Sequence, residues 1–166
     1  LGRYEPAVEN YQLAIKKNRA FSGAFNNLAL VLKAMGRIDE AISHFRGALR
    51  LQPALAEAHW NLSLSLLING QFEEGWKEHE WRFMRGERST IYPHRFGIPL
   101  WDGSSFTGKR LFVHSEQGFG DTLQFIRYLP MVKRLGGTVI FETFGPLLET
   151  MSGFPGIDKL VEISPD

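Results

Sequence analysis

Glycine recurs at positions 2, 36 and 70, an interval of 34 residues. The same interval relates Ala7 to Ala41 and Gly75, Tyr11 to Phe45 and His79, and Ala14 to Ala48 and Arg82. In the other half of the unit, Ala24 matches Ala58, Asn27 matches Asn61 and Leu28 matches Leu62. A period of this length marks repeated supersecondary units, each unable to bury its apolar face alone. Within residues 22–55 the finer pattern is helical. Ala24, Phe25, Leu28, Leu32 and Met35 share one face until Gly36 interrupts; Ala41, Ile42, Phe45, Ala48 and Leu49 resume the pattern until Pro53 stops it. The spacing predicts a helix hairpin. Small residues at Ala29, Ala41 and Ala48 let its helices approach closely, and Phe25, Leu32 and Phe45 fill the layers between them.

These positions resemble the tetratricopeptide repeat, and the stretch GRIDEAISHFRGALRLQP is a close match to the second helix of that unit. The expected fold is therefore an all-α tetratricopeptide superhelix over residues 1–86. Residues 2–18 supply only the second helix of one repeat, 22–55 a full repeat, and 56–85 a degenerate end repeat with His79 and Arg82 where aromatic and small residues belong. Polar drift of this kind suits the end of a stack. The Lys77-Glu78 and Glu80-Arg82 charges read as a solvated helix face. Because the chain opens at Leu1-Gly2 within a repeat, it is expected to be a piece of something longer.

In stacked hairpins of this type the first helix of each unit lines the concave face. Asn26, Asn27, Leu30 and Lys33 lie on that side of the full repeat, as do Trp60, Asn61, Leu64 and Ile68 of the next. Asn27 and Asn61 form a short ladder of amides. Each offers a donor and an acceptor, which suits an extended peptide backbone whatever its side chains. The stretch NNLALVLKAMGRIDEA also resembles the repeats of O-linked N-acetylglucosamine transferases, and that resemblance implies a ladder gripping peptide substrates. A protein or peptide partner on the concave face is expected.

The helical period ends near residue 86, and a linker rich in aromatics, proline and glycine follows over 87–108. Tyr92, Phe96, Trp101 and Phe106 are too many aromatics for a free tether, so the linker is expected to pack on a folded surface. Beyond Gly108 the pattern becomes α/β. RLFVHS (110–115) reads as a strand, the turn 116–120 leads to a helix capped by Asp121 and running to about Leu135, and TVIFET (138–143) is a second strand. A short helix over 146–151 and a third strand over 159–163 complete residues 109–166 as a partial Rossmann-like parallel sheet. Three strands with two helices leave a sheet face bare. The repeat, the linker or a second copy of the chain in a homodimer is expected to cover it.

WDG at 101–103, followed by GKRLFVHSEQGFGDTLQFIRYLPMVKRLGGTVIFET, resembles the start of the glycosyltransferase domain in repeat-fused bacterial proteins related to the heptosyltransferase group of GT-B enzymes. The likeness implies that the loop after the first strand faces an acceptor sugar. It places the base on Asp121, with Glu116, Gln117 and Gln124 as sugar-bonding neighbours and Gly118 and Gly120 opening the backbone to the ligand. His114, at the end of the first strand, is a further candidate for the sugar side. A carboxylate suits deprotonation of a hydroxyl. GT-B enzymes hold the sugar nucleotide mainly on a second domain, so this chain alone is not expected to turn over. The alternative is a repeat scaffold for protein–protein interaction, with the α/β segment as a structural cap.

Charge narrows the rest. Lys and Arg total 19 against 18 Asp and Glu, which gives no bulk attraction to nucleic acid. Cysteine is absent, which rules out disulfides and suits a cytoplasmic protein. No apolar run is long enough for a membrane span. The five histidines show no metal-ligand spacing, and neither a metal nor another cofactor is expected.

Overall fold

The computed structural model describes residues 4–85, 97–116 and 118–163. It divides into two compact units, Leu1–Thr90 and Ile91–Asp166. The first unit contains α1 (Tyr4–Lys17), α2 (Ser22–Ala34), α3 (Ile38–Leu51), α4 (Ala56–Ile68) and α5 (Phe72–His79), the last passing into a 3₁₀ turn over Glu80–Met84. The second contains β1 (Arg110–His114), α6 (Phe119–Phe125), α7 (Leu129–Lys133), β2 (Thr138–Thr143), α8 (Leu148–Met151) and β3 (Lys159–Glu162).

The 34-residue period has a backbone cause. Gly36 (φ 78°) and Gly70 (φ 76°) end α2 and α4 in the left-handed region that only glycine enters cheaply. After each, the next amide returns to the same place in the last turn: Arg37 N to Leu32 O at 2.9 Å, and Gln71 N to Leu66 O at 2.9 Å. Both are Schellman stops, which satisfy helix-end carbonyls and turn the chain for its partner helix. Side chains then close the stack. Val8 of α1, Leu28, Ala29 and Leu32 of α2, Ala41, Ile42 and Phe45 of α3, and Leu62 and Leu66 of α4 form one buried core.

The degenerate repeat differs from the others in a specific way. α5 is 8 residues long where α1 and α3 have 14. At the position of Ala7 and Ala41 stands Gly75, where an added Cβ would lie 2.8 Å from Leu67 Cδ2. Leu67 takes up the space a side chain would need, so α4 and α5 meet backbone to side chain. Of the charges expected to be solvated, Lys77 and Glu80 are, with side chains 72% and 63% exposed, while Glu78 and Arg82 are engaged. Glu78 bonds His59, and the Arg82 guanidinium, with its side chain 11% exposed, donates to Glu80 Oε1 (2.8 Å) and the His79 carbonyl (3.2 Å). Glu78 thus ties α5 to α4, while Arg82 closes its own turn.

In the second unit, β1, β2 and β3 pair parallel in sequence order, with Arg110 opposite Thr138 and Ile140 opposite Lys159. Val139 and Phe141 are buried against Ile126 and Leu129, and against Leu147 and Met151, so both crossovers lie on one face of the sheet. The opposite face carries half-buried Phe112, Ile140 and Val161. Phe106 joins the covered core, its amide held by the Leu135 carbonyl at 3.2 Å. Of the expected linker, Tyr92 and Phe96 fall outside the described residues, while Trp101 packs edge-on to Phe106 and donates to the Ser104 carbonyl.

The single helix expected from Asp121 to Leu135 is broken by a 3₁₀ turn over Ile126–Tyr128. Pro130 is the reason: it has no N–H for the Ile126 carbonyl, and its ring displaces that carbonyl. Asp121 is not the cap either. Gly118 occupies that position in an extended conformation without a side-chain bond, and Asp121 lies inside the first turn of α6. An acidic group there still opposes the positive end of the helix.

Asp158 cross-braces this unit. Its Oδ2 accepts from Lys133 Nζ (2.5 Å) and from the Val139 amide (2.6 Å), and Lys133 also donates to the Gly137 carbonyl (2.7 Å). The Lys133 bond, then the Val139 amide, holds the Asp158 carboxyl below the usual aspartate range. A depressed folded pKa adds stability above the unfolded value of about 4, and that stability is lost as pH falls through the folded pKa. Asp158→Asn should therefore lower the melting temperature of the sheet unit at neutral pH, and the gap from the unaltered protein should close as pH falls below about 4; thermal melts at descending pH check it. In the first unit, Phe45 is fully buried, and Phe45→Ala should cost about 3–5 kcal/mol in urea denaturation followed by circular dichroism.

Candidate functional site

Two regions hold the residues singled out by sequence. On α2, Asn27 and Leu30 are exposed, while Asn26 and Lys33 are half-buried. Asn26 Nδ2 donates to Asn27 Oδ1 at 3.3 Å, and Asn26 Oδ1 is buried with no hydrogen-bond partner. An orphaned acceptor of this kind is costly unless a donor reaches it. Burial pushes the Lys33 ammonium pKa below its ordinary value.

On α4, Trp60, Asn61 and Leu64 are half-buried and Ile68 is exposed. Trp60 is engaged within its own hairpin: the His79 ring lies 4.9 Å away and the Arg85 guanidinium 5.1 Å from its centroid. Arg85 is held in turn by Glu57 at 3.2 Å. The Asn61 carbonyl accepts from Ser65 Oγ at 2.9 Å.

Sequence reasoning missed a neighbouring cluster. His59 stacks on Trp81 with centroids 3.8 Å apart and planes 3° from parallel. One ring nitrogen meets the Glu78 carboxylate and the other the Pro53 carbonyl at 2.8 Å. The aromatic run Trp76, Trp81 and Phe83 beside His79 carried the signal, but the broken period after α5 concealed which rings would meet.

The second region is the turn between β1 and α6. His114 is half-buried at the end of β1, Glu116 is half-buried, and Gly118, Gly120, Asp121 and Gln124 are exposed. Gln117 lies outside the described residues. Ser115 Oγ donates to Thr143 Oγ1 (3.1 Å) and to the Glu142 carbonyl (3.3 Å), fixing where the turn leaves the sheet. Gly118 and Gly120 have neither a positive φ nor any atom within 4 Å of an added Cβ. Among the described residues nothing gives a steric reason for glycine at either position. Glu142, opposite His114 in the ladder, is a buried carboxylate at the carboxyl end of β2. The alternation of TVIFET would have placed it on the face of His114, had charge at a strand end been given weight.

Among the described residues no cluster of three or more His, Asp or Glu is placed to hold a metal ion, and no helix is long and apolar enough to cross a membrane.

Comparison with known proteins gives partial likenesses. Over 66 residues, 38% of this chain, the sequence is 41% identical to Protein FlbA of Caulobacter vibrioides. That match covers 11% of the FlbA length. The crystal structure of MamA is 26% identical and superposes with a TM-score of 0.46 over 47% of this chain and 46% of MamA. A mutant of the Thermobaculum terrenum O-GlcNAc transferase is 16% identical, with a TM-score of 0.47 over 97% of this chain and 39% of that one. Residues 22–55 match the family model of the tetratricopeptide repeat. With α1 on one side of that match and the α4–α5 hairpin on the other, residues 22–55 are a tetratricopeptide repeat, which indicates a protein-interaction module.

Proposed function

We propose that the chain binds an extended peptide or protein segment along the first helices of its repeats, through Asn27 and Asn61. The carrying observation is the amide cluster on α2, where an exposed Asn27 adjoins a buried, unpartnered Asn26 acceptor. Asn61 repeats the amide one unit on, Leu30 and Leu64 supply apolar contact between the two, and Lys33 offers a cation beside them. Side-chain amides recognise backbone, so the binding reads shape before sequence. Asn27→Ala with Asn61→Ala should weaken affinity for a labelled peptide pool by roughly tenfold in fluorescence anisotropy. Unchanged affinity would sink the proposal.

A second reading concerns the parent activity. It places this chain in a repeat-fused glycosyltransferase, with the β1–α6 turn on the acceptor side. Support comes from the motif around Asp121 and from Gly118 and Gly120, which leave the backbone open without a packing reason. In that reading Asp121 takes the proton of an acceptor hydroxyl as its oxygen attacks the anomeric carbon and a nucleoside diphosphate leaves; Glu116, Gln117 and Gln124 hold the sugar, and His114 flanks it. Asp121→Asn in the full-length gene product should cut transfer by about 10²–10⁴-fold with its melting temperature unchanged. If the full product binds no sugar nucleotide in calorimetry, the interaction-scaffold alternative takes its place. The half-buried sheet face of Phe112, Ile140 and Val161 is proposed to pair with a second copy of the chain.

A further inference from the structure

Position by position, the second helix of each repeat presents the same row to the next hairpin. Val8, Ile42 and Trp76 are equivalents at successive steps of 34, yet they are 5%, 3% and 54% exposed. Val8 and Ile42 share the first unit's core with Leu28 and Leu32 of α2 and with Leu62 and Leu66 of α4. Trp76 has no such cover, and Phe72, the equivalent of half-buried Ile38, is 61% exposed. The polar substitutions of this repeat fall elsewhere. His79 sits against Trp60 and Trp76, and Arg82 folds back on its own turn. The end repeat has therefore kept a large apolar seam and left it open. An open cleft of about 540 Å³, lined by Gly70, Gln71, Phe72, Glu73, Glu74 and Lys77, runs along its edge.

We propose that this face of α5 docks an amphipathic helix with a basic flank, supplied by a partner protein. The preceding seam defines the apolar part of that helix. Where α4 shares the core with α3 it uses Leu62 and Leu66, at i and i+4, with Ala58 buried one turn before them. Charge defines the flank. At the preceding seam Asp39 accepts from Asn69 Nδ2 (3.0 Å) and Arg46 meets Glu74 (2.6 Å). One step on, these two places are held by Glu73 and Glu80, both acidic. Their local bonds, to Lys77 and Arg82, leave the side chains 88% and 63% exposed. Both places are now acidic, each with a local cation, and the complementary helix carries lysine or arginine where the end of α4 carries Asn69 opposite Asp39. Exposed tryptophan and phenylalanine in such a setting are the residue types that dominate binding energy at interfaces.

The test uses the whole chain and a fluorescein-labelled synthetic helix with alanine and leucine at the α4 spacing and lysine on one flank. Saturable anisotropy is expected, weakened roughly tenfold by Phe72→Ser with Trp76→Ser, and weakened likewise by Glu73→Lys with Glu80→Lys. Because Glu73 and Glu80 also bond Lys77 and Arg82, thermal melts of both pairs by circular dichroism accompany the titrations, and only loss of binding with the melt unchanged counts for the proposal. Asn27→Ala with Asn61→Ala should leave this binding unchanged, which separates it from the peptide groove. No saturable binding, or binding indifferent to both α5 pairs, overturns the proposal. So does light scattering in which Phe72→Ser with Trp76→Ser turns a dimer into a monomer, because the face then belongs to self-association.

Discussion

A helix hairpin with one apolar stripe cannot satisfy itself. Each of its two helices covers the other on one side only, and the remaining side must meet a neighbour or stay in water. The first unit is organised by that constraint. Phe45 is fully buried because α2, α3 and α4 converge on it, and Ala41 and Ala48 are small because the backbones come close there. Remove the neighbour and the same position becomes surface, as the series Val8, Ile42, Trp76 demonstrates. Burial in this molecule is a property of position in the stack before it is a property of residue type.

The parallel sheet obeys a related rule. Its helices pack together on one face because each strand–helix–strand step turns the same way and the strands follow in order. The opposite face carries Phe112, Ile140 and Val161 alongside His114 and Glu142. Asp158 and Lys133 hold the crossover from outside the core, tying the turn after α7 to the first amide of the buried part of β2.

Much of this was legible in the residues. The hairpins, their glycine stops and the three strands follow from a period of 34 and from alternation, since both patterns report burial directly. What escaped were features set by single contacts. Asp121 looked like a helix cap because its residue type favours that place, but Gly118 reached the cap position first. The break at Ile126–Tyr128 follows from Pro130, whose effect falls four residues upstream, inside what reads as an unbroken apolar period. His59 meeting Trp81 and Glu78 depended on α5 stopping early, and no periodic signal announces an early stop. For the groove, the sequence identifies Asn27 and Asn61 by equivalence, while the unpartnered Asn26 oxygen emerges only from three-dimensional placement.

The two left-handed stops at Gly36 and Gly70 also bear on how such a chain changes length. Each stop resets the chain direction in the same way, so the segment between them behaves as an interchangeable cassette. Excising residues 36–69 would join Met35 to Gly70 and hand α2 a new partner, α5, across an identical stop. A deletion of almost any other size would rotate the following helix by about 100° per residue and turn its apolar stripe outward. Growth and loss in this half of the molecule are therefore quantised, with the glycine stops as the points at which a unit can be added or taken away.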